Sequence, residues 1–576
     1  MFRERNLLFL LPCILCILKT QGQDPLGFEC IDAESKPCFW YSPNSAQYEI
    51  DTTTVFTGNN SLKLTSLENE YSTVTIKFPK ELLQSCYSST DTFIVTASIK
   101  TNLVATGQAR VSISALYPDH KKRILAQDSL GNKKATGISR WTNFSAKVMF
   151  DTAALNMYIG LTIQGTGEAW LDNISIRTEQ GISHPFECLN NNIDKKSFEK
   201  FSSPIDISND NLFSKQQLKK WFGNFRILGL GESTHGTREF FTVKAKIIKS
   251  YVIEFGITNF AIEANLPEAR IVDAYINQRE KNPSILSSMY FWTWQTQEVF
   301  ELVEWMRHYN LINEKKIRFF GFDMQFQRVP LENVKAVITK KDIPVFSLLE
   351  TIEKYMNDRN RIDPSEATEI YGILDSLQAY VITSSSDTLD SELNQAKINN
   401  LVKDIDIIRQ GFRYRIKRTL RDKLMAENIA WIADQVGKDE KLIIWAHNGH
   451  INKVKGRMGY YLNGQYGNEY RPVGLTTFEG NHTAKGERGV TSYPACTAPL
   501  GSLEYFIFSN TAYDASVLDL QRYLRANKTK EPYESLTLIR TTGAIPVRLG
   551  FQYLNLQELF DTVIHINKTS NTKLQY

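Results

Sequence analysis

No apolar run after residue 18 is long enough to cross a bilayer, which takes about 20 residues in a helix, so no integral membrane segment is expected beyond the N-terminus. Basic surplus is missing too: 67 Lys and Arg face 63 Asp and Glu. That near balance argues against nucleic acid as the main partner, since nucleic-acid binders cluster positive charge. The one dense basic run, Phe412 to Arg421, reads as a solvated helix face. There is no P-loop, no G-x-G-x-x-G after a strand, no H-E-x-x-H and no G-x-S-x-G elbow. Nucleotide-binding, zincin and serine-hydrolase signatures are therefore absent, although Ser233 lies in a suggestive turn. Cysteine is sparse: beyond residue 22 only Cys30, Cys38, Cys86, Cys188 and Cys496 remain. Their spacing fits no zinc module, and an odd number cannot all pair internally. Cys30 and Cys38 are near enough for one disulfide if the chain is exported.

What is present begins with a leader. A basic MFRER start, twelve apolar residues from Leu7 to Leu18 and the small residues Thr20 and Gly22 fit a signal peptide over 1–22, cleaved near Gly22–Gln23. A lipid anchor at Cys13 or Cys16 is disfavoured by the bulky residues or proline before each. Localisation outside the cytoplasm, periplasmic or extracellular, is the expectation.

Residues 24–180 have β character. Ser72–Phe78, Phe93–Lys100, Ala109–Tyr117 and Asn156–Ile163 are strand-length runs, alternating or apolar, separated by Gly, Asn, Asp and Ser clusters. They predict an all-β jelly-roll-like sandwich, loosely similar to carbohydrate-binding modules, with Trp40, Trp141 and Trp170 as the sugar-stacking candidates. Residues 181–211 turn polar and irregular and read as a linker. From 212 to 576 the texture is α/β. Phe225–Gly231, a helix ending at Gly256 and Thr258–Ala264 make a βαβ unit, which implies parallel strands. Lys316–Asp323 and Lys441–Asn448 extend the same sheet, and a helical insertion occupies about 331–437.

The carboxyl ends of parallel strands are where such sheets bind ligands. Here those ends carry Glu232, Glu263, Asp323 and His447. The first strand leads into GESTHGTREFF, where His235 follows Glu232 in a glycine-bounded turn and can serve proton transfer near neutrality. A neighbouring carboxylate, Glu232 or Glu263, would fix its tautomer. His447 and His450, in HNGH, can polarise a carbonyl, hold a phosphate or bind a metal. Zinc stays a competitor at this point, because His, Glu and Asp are its ligands. Lys244, on the following helix, offers a cation for oxyanion charge. Glu239 lies in the first helical turn and suits the helix dipole instead.

These blocks resemble the erythromycin esterase family over residues 212–576. The likeness runs through GESTHGTREFF with Lys244, FAIEA around Glu263, Phe291–Asn310 with Trp294, Phe319–Gln325, Arg421–Ile432, WAHNGHI and YGNEYRPVGLTT. It implies hydrolysis of an ester by an activated water, metal-free and without a cofactor. His235 would be the base, Glu232 and Glu263 its orienting carboxylates, and His447, His450 and Lys244 the stabilisers of the tetrahedral intermediate. Asp323, Asn448 and Trp294 are candidate substrate contacts. Lysine at 244 departs from the arginine of the drug-hydrolysing members, which also lack the sandwich.

The expectation is an exported hydrolase of an ester or macrolide lactone. A zinc hydrolase at the same site and a non-catalytic glycan-binding surface protein are the alternatives.

Overall fold

The computed structural model describes residues 24–575 except 33–35, 68–70, 88–91, 105–106, 128–134, 150, 152, 179–184, 192–194, 339–342, 359–361, 385–390, 528–535 and 547–549. The leader at 1–22 lies outside the described residues. Two compact units are present. One comprises residues through Asp206, Ser233–Glu239 and Leu475–Asn571; the other comprises Ile207–Glu232, Phe240–Gly474 and Thr572–Tyr576.

The first unit is built on the expected sandwich. One sheet orders its strands Trp40–Tyr41, Tyr71–Pro79, Asn156–Gln164, Gln108–Leu116, Lys122–Gln127. The other orders Gln47–Asp51, Ser61–Ser66, Gly167–Thr178, Thr92–Leu103, Ile138–Met149. Pairing is antiparallel, and alternate residues such as Phe93, Val95 and Ala97 point into a shared core with Val74, Ile76, Ile159 and Leu161. Trp40 and Trp170 cannot stack on a sugar as supposed. Trp40 is fully buried, and Trp170 is buried with its indole N–H on Asp51 at 2.7 Å. Trp141 is half-buried against Phe56. Cys30 and Cys38 form the expected disulfide.

The stretch read as a linker holds helices Pro185–Asn191 and Lys195–Phe201 and the strand Ser202–Pro204. Phe186, Leu189 and Phe198 explain this: they are buried apolar anchors in a polar-looking segment. Phe186 and Leu189 join the sandwich core together with Leu536 and Leu538 from the far end of the chain. The rest of this unit includes antiparallel pairs among Ser202–Pro204, Ala515–Asp519 and Thr562–Thr569.

In the second unit the spatial order of strands is Tyr470–Val473, Ile227–Leu230, Leu442–Trp445, Asn259–Asn265, Arg318–Asp323, all parallel. Every residue of ILGL and LIIW is buried, as expected of strands covered on both faces. Leu230 and Ile262 both pair with Trp445, and Asn265 with Asp323, so the strands end level with one another. The insertion is helical: Arg328–Val337, Ile343–Asn357, Pro364–Ser384, Ser391–Ile416 and Arg421–Val436. Its Leu331, Ile352, Leu374, Ile405 and Phe412 form a core of their own.

Candidate active site

The expected strand ends do bring Glu232, Glu263, Asp323 and His447 to one edge of the parallel sheet in the second unit. They divide into two charge clusters.

The first is closed to solvent. Lys244 Nζ binds Glu232 Oε2, and both side chains are 0% exposed. The indole N–H of Trp445 donates to the same oxygen at 3.0 Å, and the ammonium sits 3.9 Å from the Trp445 ring centroid. Burial pulls Lys244 down to about 8 against the attraction of Glu232. Lys244 was expected to meet an oxyanion; enclosed this way, it acts on Glu232 instead. Trp294, expected at the substrate, is likewise buried. It stacks on Phe241, meets Trp445 edge-on and donates its indole N–H to the Glu263 carbonyl at 2.9 Å. It holds the strand that carries Glu263.

The second cluster centres on Arg421. Its Nη2 lies 2.7 Å from both Glu263 Oε1 and Asp323 Oδ2, Nε reaches Asp323 Oδ1 at 3.3 Å, and Nη1 meets His450 Nε2 at 2.9 Å. Within the run Phe412–Arg421, Ile416–Thr419 are exposed as read, but Arg421 departs from a solvated face. The run ends where helix Arg421–Val436 begins, and that start turns Arg421 onto the strand ends. Burial lowers a guanidinium's proton affinity, but Asp323 and Glu263 outweigh it and hold Arg421 more firmly charged than usual. Asp323 is completed by the Met324 N–H and Gln325 Nε2 at 2.8 and 2.7 Å. It too was expected to meet substrate, and it is fully buried.

His450 continues the chain. Its Nδ1 meets Asp422 Oδ1 at 2.8 Å, and Asp422 also accepts the Met458 N–H at 2.9 Å. Burial pulls His450 down, but Glu263 and then Asp422 outweigh it and raise it above the ordinary histidine value. A guanidinium cannot accept a hydrogen bond, so the Arg421 contact uses the lone pair of neutral Nε2. The protonated ring has Glu263 Oε1 at 3.4 Å as its partner. On protonation Nε2 becomes a donor, so the contact with Arg421 Nη1 must open as the ring turns to Glu263.

His447 caps the turn Asn448–Ile451, its Nδ1 accepting the Gly449 N–H at 3.0 Å. Its backbone N–H donates to Glu263 Oε2 at 3.0 Å, and Asn448 N–H to the Glu232 carbonyl at 2.8 Å. Asn448 is itself buried beside Gly231. The His447 and His450 ring centroids stand 6.4 Å apart. In this cluster Arg421 and His450 keep the most exposure, 18% and 16% of their side chains. Among the described residues no three His, Cys, Asp or Glu groups are arranged to hold a metal ion. A cavity of about 620 Å³ in this unit lies elsewhere, beside Lys246, Lys249, Glu298 and Glu301, and touches none of the candidates.

Arg421, Asp422 and Trp445 were missed as site residues, although all lie within stretches that carried the resemblance or the strand reading. An arginine in a basic run and a tryptophan in an apolar strand give no local sign of a remote partner.

His235 belongs to the other unit, three positions after Glu232 in the chain. Its turn is pinned by Thr542 N–H to the Ser233 carbonyl at 2.8 Å, Thr483 N–H to the Gly236 carbonyl at 2.9 Å and Arg238 N–H to the Ser570 carbonyl at 2.9 Å. Gly236 has φ +67°, and a Cβ there would come 2.5 Å from the Thr483 carbonyl oxygen, so no other residue fits without strain. His235 is buried. Glu239 receives the Ser570 N–H at 2.7 Å and its hydroxyl at 2.6 Å, a structural tie in the first turn of its helix.

The family model for erythromycin esterase matches residues 252–569, more than half of this chain. The match includes Glu263, Asp323, Arg421, His447 and His450 and begins after Glu232, His235 and Lys244. A putative hydrolase of Bacillus subtilis, YbfO, is 25% identical over 345 residues, covering 53% of this chain and 77% of that protein. Erythromycin esterase type II of Escherichia coli is 24% identical over 325 residues, covering 49% and 75%. A Bacillus cereus protein of known structure covers 67% of this chain and 99% of its own at TM-score 0.56 and 24% identity, a likeness of fold.

Proposed function

Since the chain belongs to the erythromycin esterase family, we propose that it is an exported hydrolase that cleaves an ester, a macrolide lactone among the candidates, by direct attack of an activated water. The observation that carries this is the Glu263–Arg421–His450–Asp422 chain at the carboxyl ends of the parallel strands. It offers a firmly charged guanidinium and an imidazole with a proton to give, the groups that a developing oxyanion requires.

In this reading His235 removes a proton from water while the water oxygen bonds to the ester carbonyl carbon. The carbonyl π electrons move to oxygen, and Arg421 and His450 stabilise that charge. Collapse breaks the bond to the alkoxy oxygen, which takes the proton from His235. Glu263 and Asp323 orient Arg421; Asp422 orients His450. Glu232, neutralised by buried Lys244, anchors the end of the strand segment from which the His235 turn departs.

Metal independence is supported by Arg421, whose guanidinium already fills the space among Glu263, Asp323 and His450. The zinc alternative predicts loss of activity on chelation and recovery with zinc. Export rests on the 1–22 pattern and is tested by N-terminal sequencing of the mature protein. A glycan contact through the sandwich now rests on Trp141 with Phe56, and Trp141→Ala in the full chain tests it on a glycan array. The reading as a whole is tested with a macrolide and ester panel, by mass spectrometry for the gain of one water.

A further inference from the structure

The chain that leaves the strand Arg318–Asp323 brings an aromatic ring to the surface beside the charged edge. Three residues beyond Asp323, Phe326 is 37% exposed, and Tyr290 next to it is 46% exposed. The Phe326 ring centroid lies 5.4 Å from that of Tyr290, the planes at 73°, and 5.1 Å from that of half-buried Phe291, the planes at 51°. Single apolar side chains are ordinary on a protein surface, whereas grouped ones mark a contact still to be made.

The group is tied to the candidate active site at three points. The Asn265 side chain grips the Phe326 backbone from both sides, its Nδ2 donating to the carbonyl at 2.6 Å and its Oδ1 accepting the N–H at 3.3 Å. Asn265 follows Glu263 by two residues on one strand. The Phe291 carbonyl accepts the Trp294 N–H at 3.2 Å, and the Trp294 indole is bonded to the Glu263 carbonyl. Gln325, just before Phe326, donates to Asp323 Oδ2 at 2.7 Å, and Asp323 holds Arg421.

Tyr290 is kept at a cost in backbone strain. The Met289 carbonyl accepts the Phe291 N–H at 2.7 Å across Tyr290, whose φ of +60° and ψ of −36° lie near the γ-turn of the rare, strained hand. Glycine would sit there without a Cβ to crowd the backbone. A tyrosine with nearly half its surface in solvent regains little of that cost by packing. Residues held in such conformations gather where ligands are gripped.

We propose that Tyr290, Phe291 and Phe326 form the subsite for an aryl ring carried by the ester substrate. The inference rests on the reading of the Arg421–His450 edge as an ester-hydrolysing site. Ring planes at 51° and 73° make a corner instead of the flat face on which a sugar stacks, and a further aromatic ring completes such a corner edge to face.

Binding of N-benzylbenzamide to the full-length protein tests this apart from turnover, because this unreactive amide carries an aryl ring on each side of its carbonyl. Phe326→Ala and Tyr290→Gly are each expected to weaken its binding about tenfold. The melting point should stay unchanged in the first variant and stay or rise in the second, where the γ-turn is relieved. In turnover, each variant should raise KM for benzyl benzoate about tenfold at unchanged kcat and leave ethyl acetate unaffected. Should Phe326→Ala lower the melting point, Phe326→Leu repeats the comparison with the bulk kept. No binding of the amide by wild type, or equal affinity in the ring variants, overturns the proposal. Binding that depends on both rings, in a protein that turns over no ester, upholds the subsite and overturns the hydrolase reading.

Discussion

One nitrogen of Arg421, Nη2, holds Glu263 and Asp323 together, 2.7 Å from an oxygen of each. Two carboxylates from neighbouring parallel strands would otherwise repel across the sheet edge. Arg421→Met leaves both buried without their guanidinium partner, and breaking a buried ion pair from one side costs about 3–5 kcal/mol of stability. Arg421→Lys keeps the charge but cannot reach both carboxylates and His450 with one planar fork. Thermal melts should rank wild type above lysine above methionine; equal melting points would contradict a pairing role.

How much of this was legible in sequence follows from the kind of signal each residue leaves. Glu232, Glu263, Asp323 and His447 each interrupt or end an apolar run, so strand periodicity alone placed them at one edge. Arg421 has no such marker. Its partners lie 98 and 158 positions away, and only the insertion's helices bring it back. The sandwich strands were readable from alternation. The grouping of Leu475–Asn571 with the first 206 residues was not, because a core shared by Phe186 and Leu538 depends on contacts that no local pattern encodes. Lys244 was read as a cation for an oxyanion, and its enclosure was not legible, because the Trp445 ring and Glu232 that bury it come from other segments.

The charge on Lys244 sets an alkaline limit. Burial holds its ammonium near 8, against the pull of Glu232, so the cation is present below that pH and lost above it. Ester turnover should fall as pH rises through about 8. In Lys244→Arg, where the charge persists beyond pH 12, the fall should disappear. A profile unaltered by this substitution would detach Lys244 from activity.

Gly231 makes room for the turn that carries both histidines. A Cβ there would collide with Asn448 Oδ1 and come 2.7 Å from Ile451 Cδ1. Gly231→Ala is expected to cost about 1–3 kcal/mol through overpacking and to lower kcat more than it raises KM. Denaturant unfolding together with steady-state kinetics checks both parts.

Asp422 acts through His450. Asp422→Asn keeps the shape but removes one of the two carboxylates that raise His450. The proton on His450 should then be lost at lower pH. If the charged ring stabilises the oxyanion, kcat falls about tenfold near neutrality and recovers toward acid pH. A pH-independent loss would assign Asp422 to folding alone.

The account turns on His235 as the base for direct water attack. A single turnover in H₂¹⁸O on the best ester of the panel, run with wild type and with His235→Ala of matched circular dichroism and melting point, tests that claim most directly. The account predicts ¹⁸O in the product acid from the first wild-type turnover, none in the protein, and no turnover above background in His235→Ala. Wild-type turnover by His235→Ala, or an unlabelled first-turnover product, would contradict it.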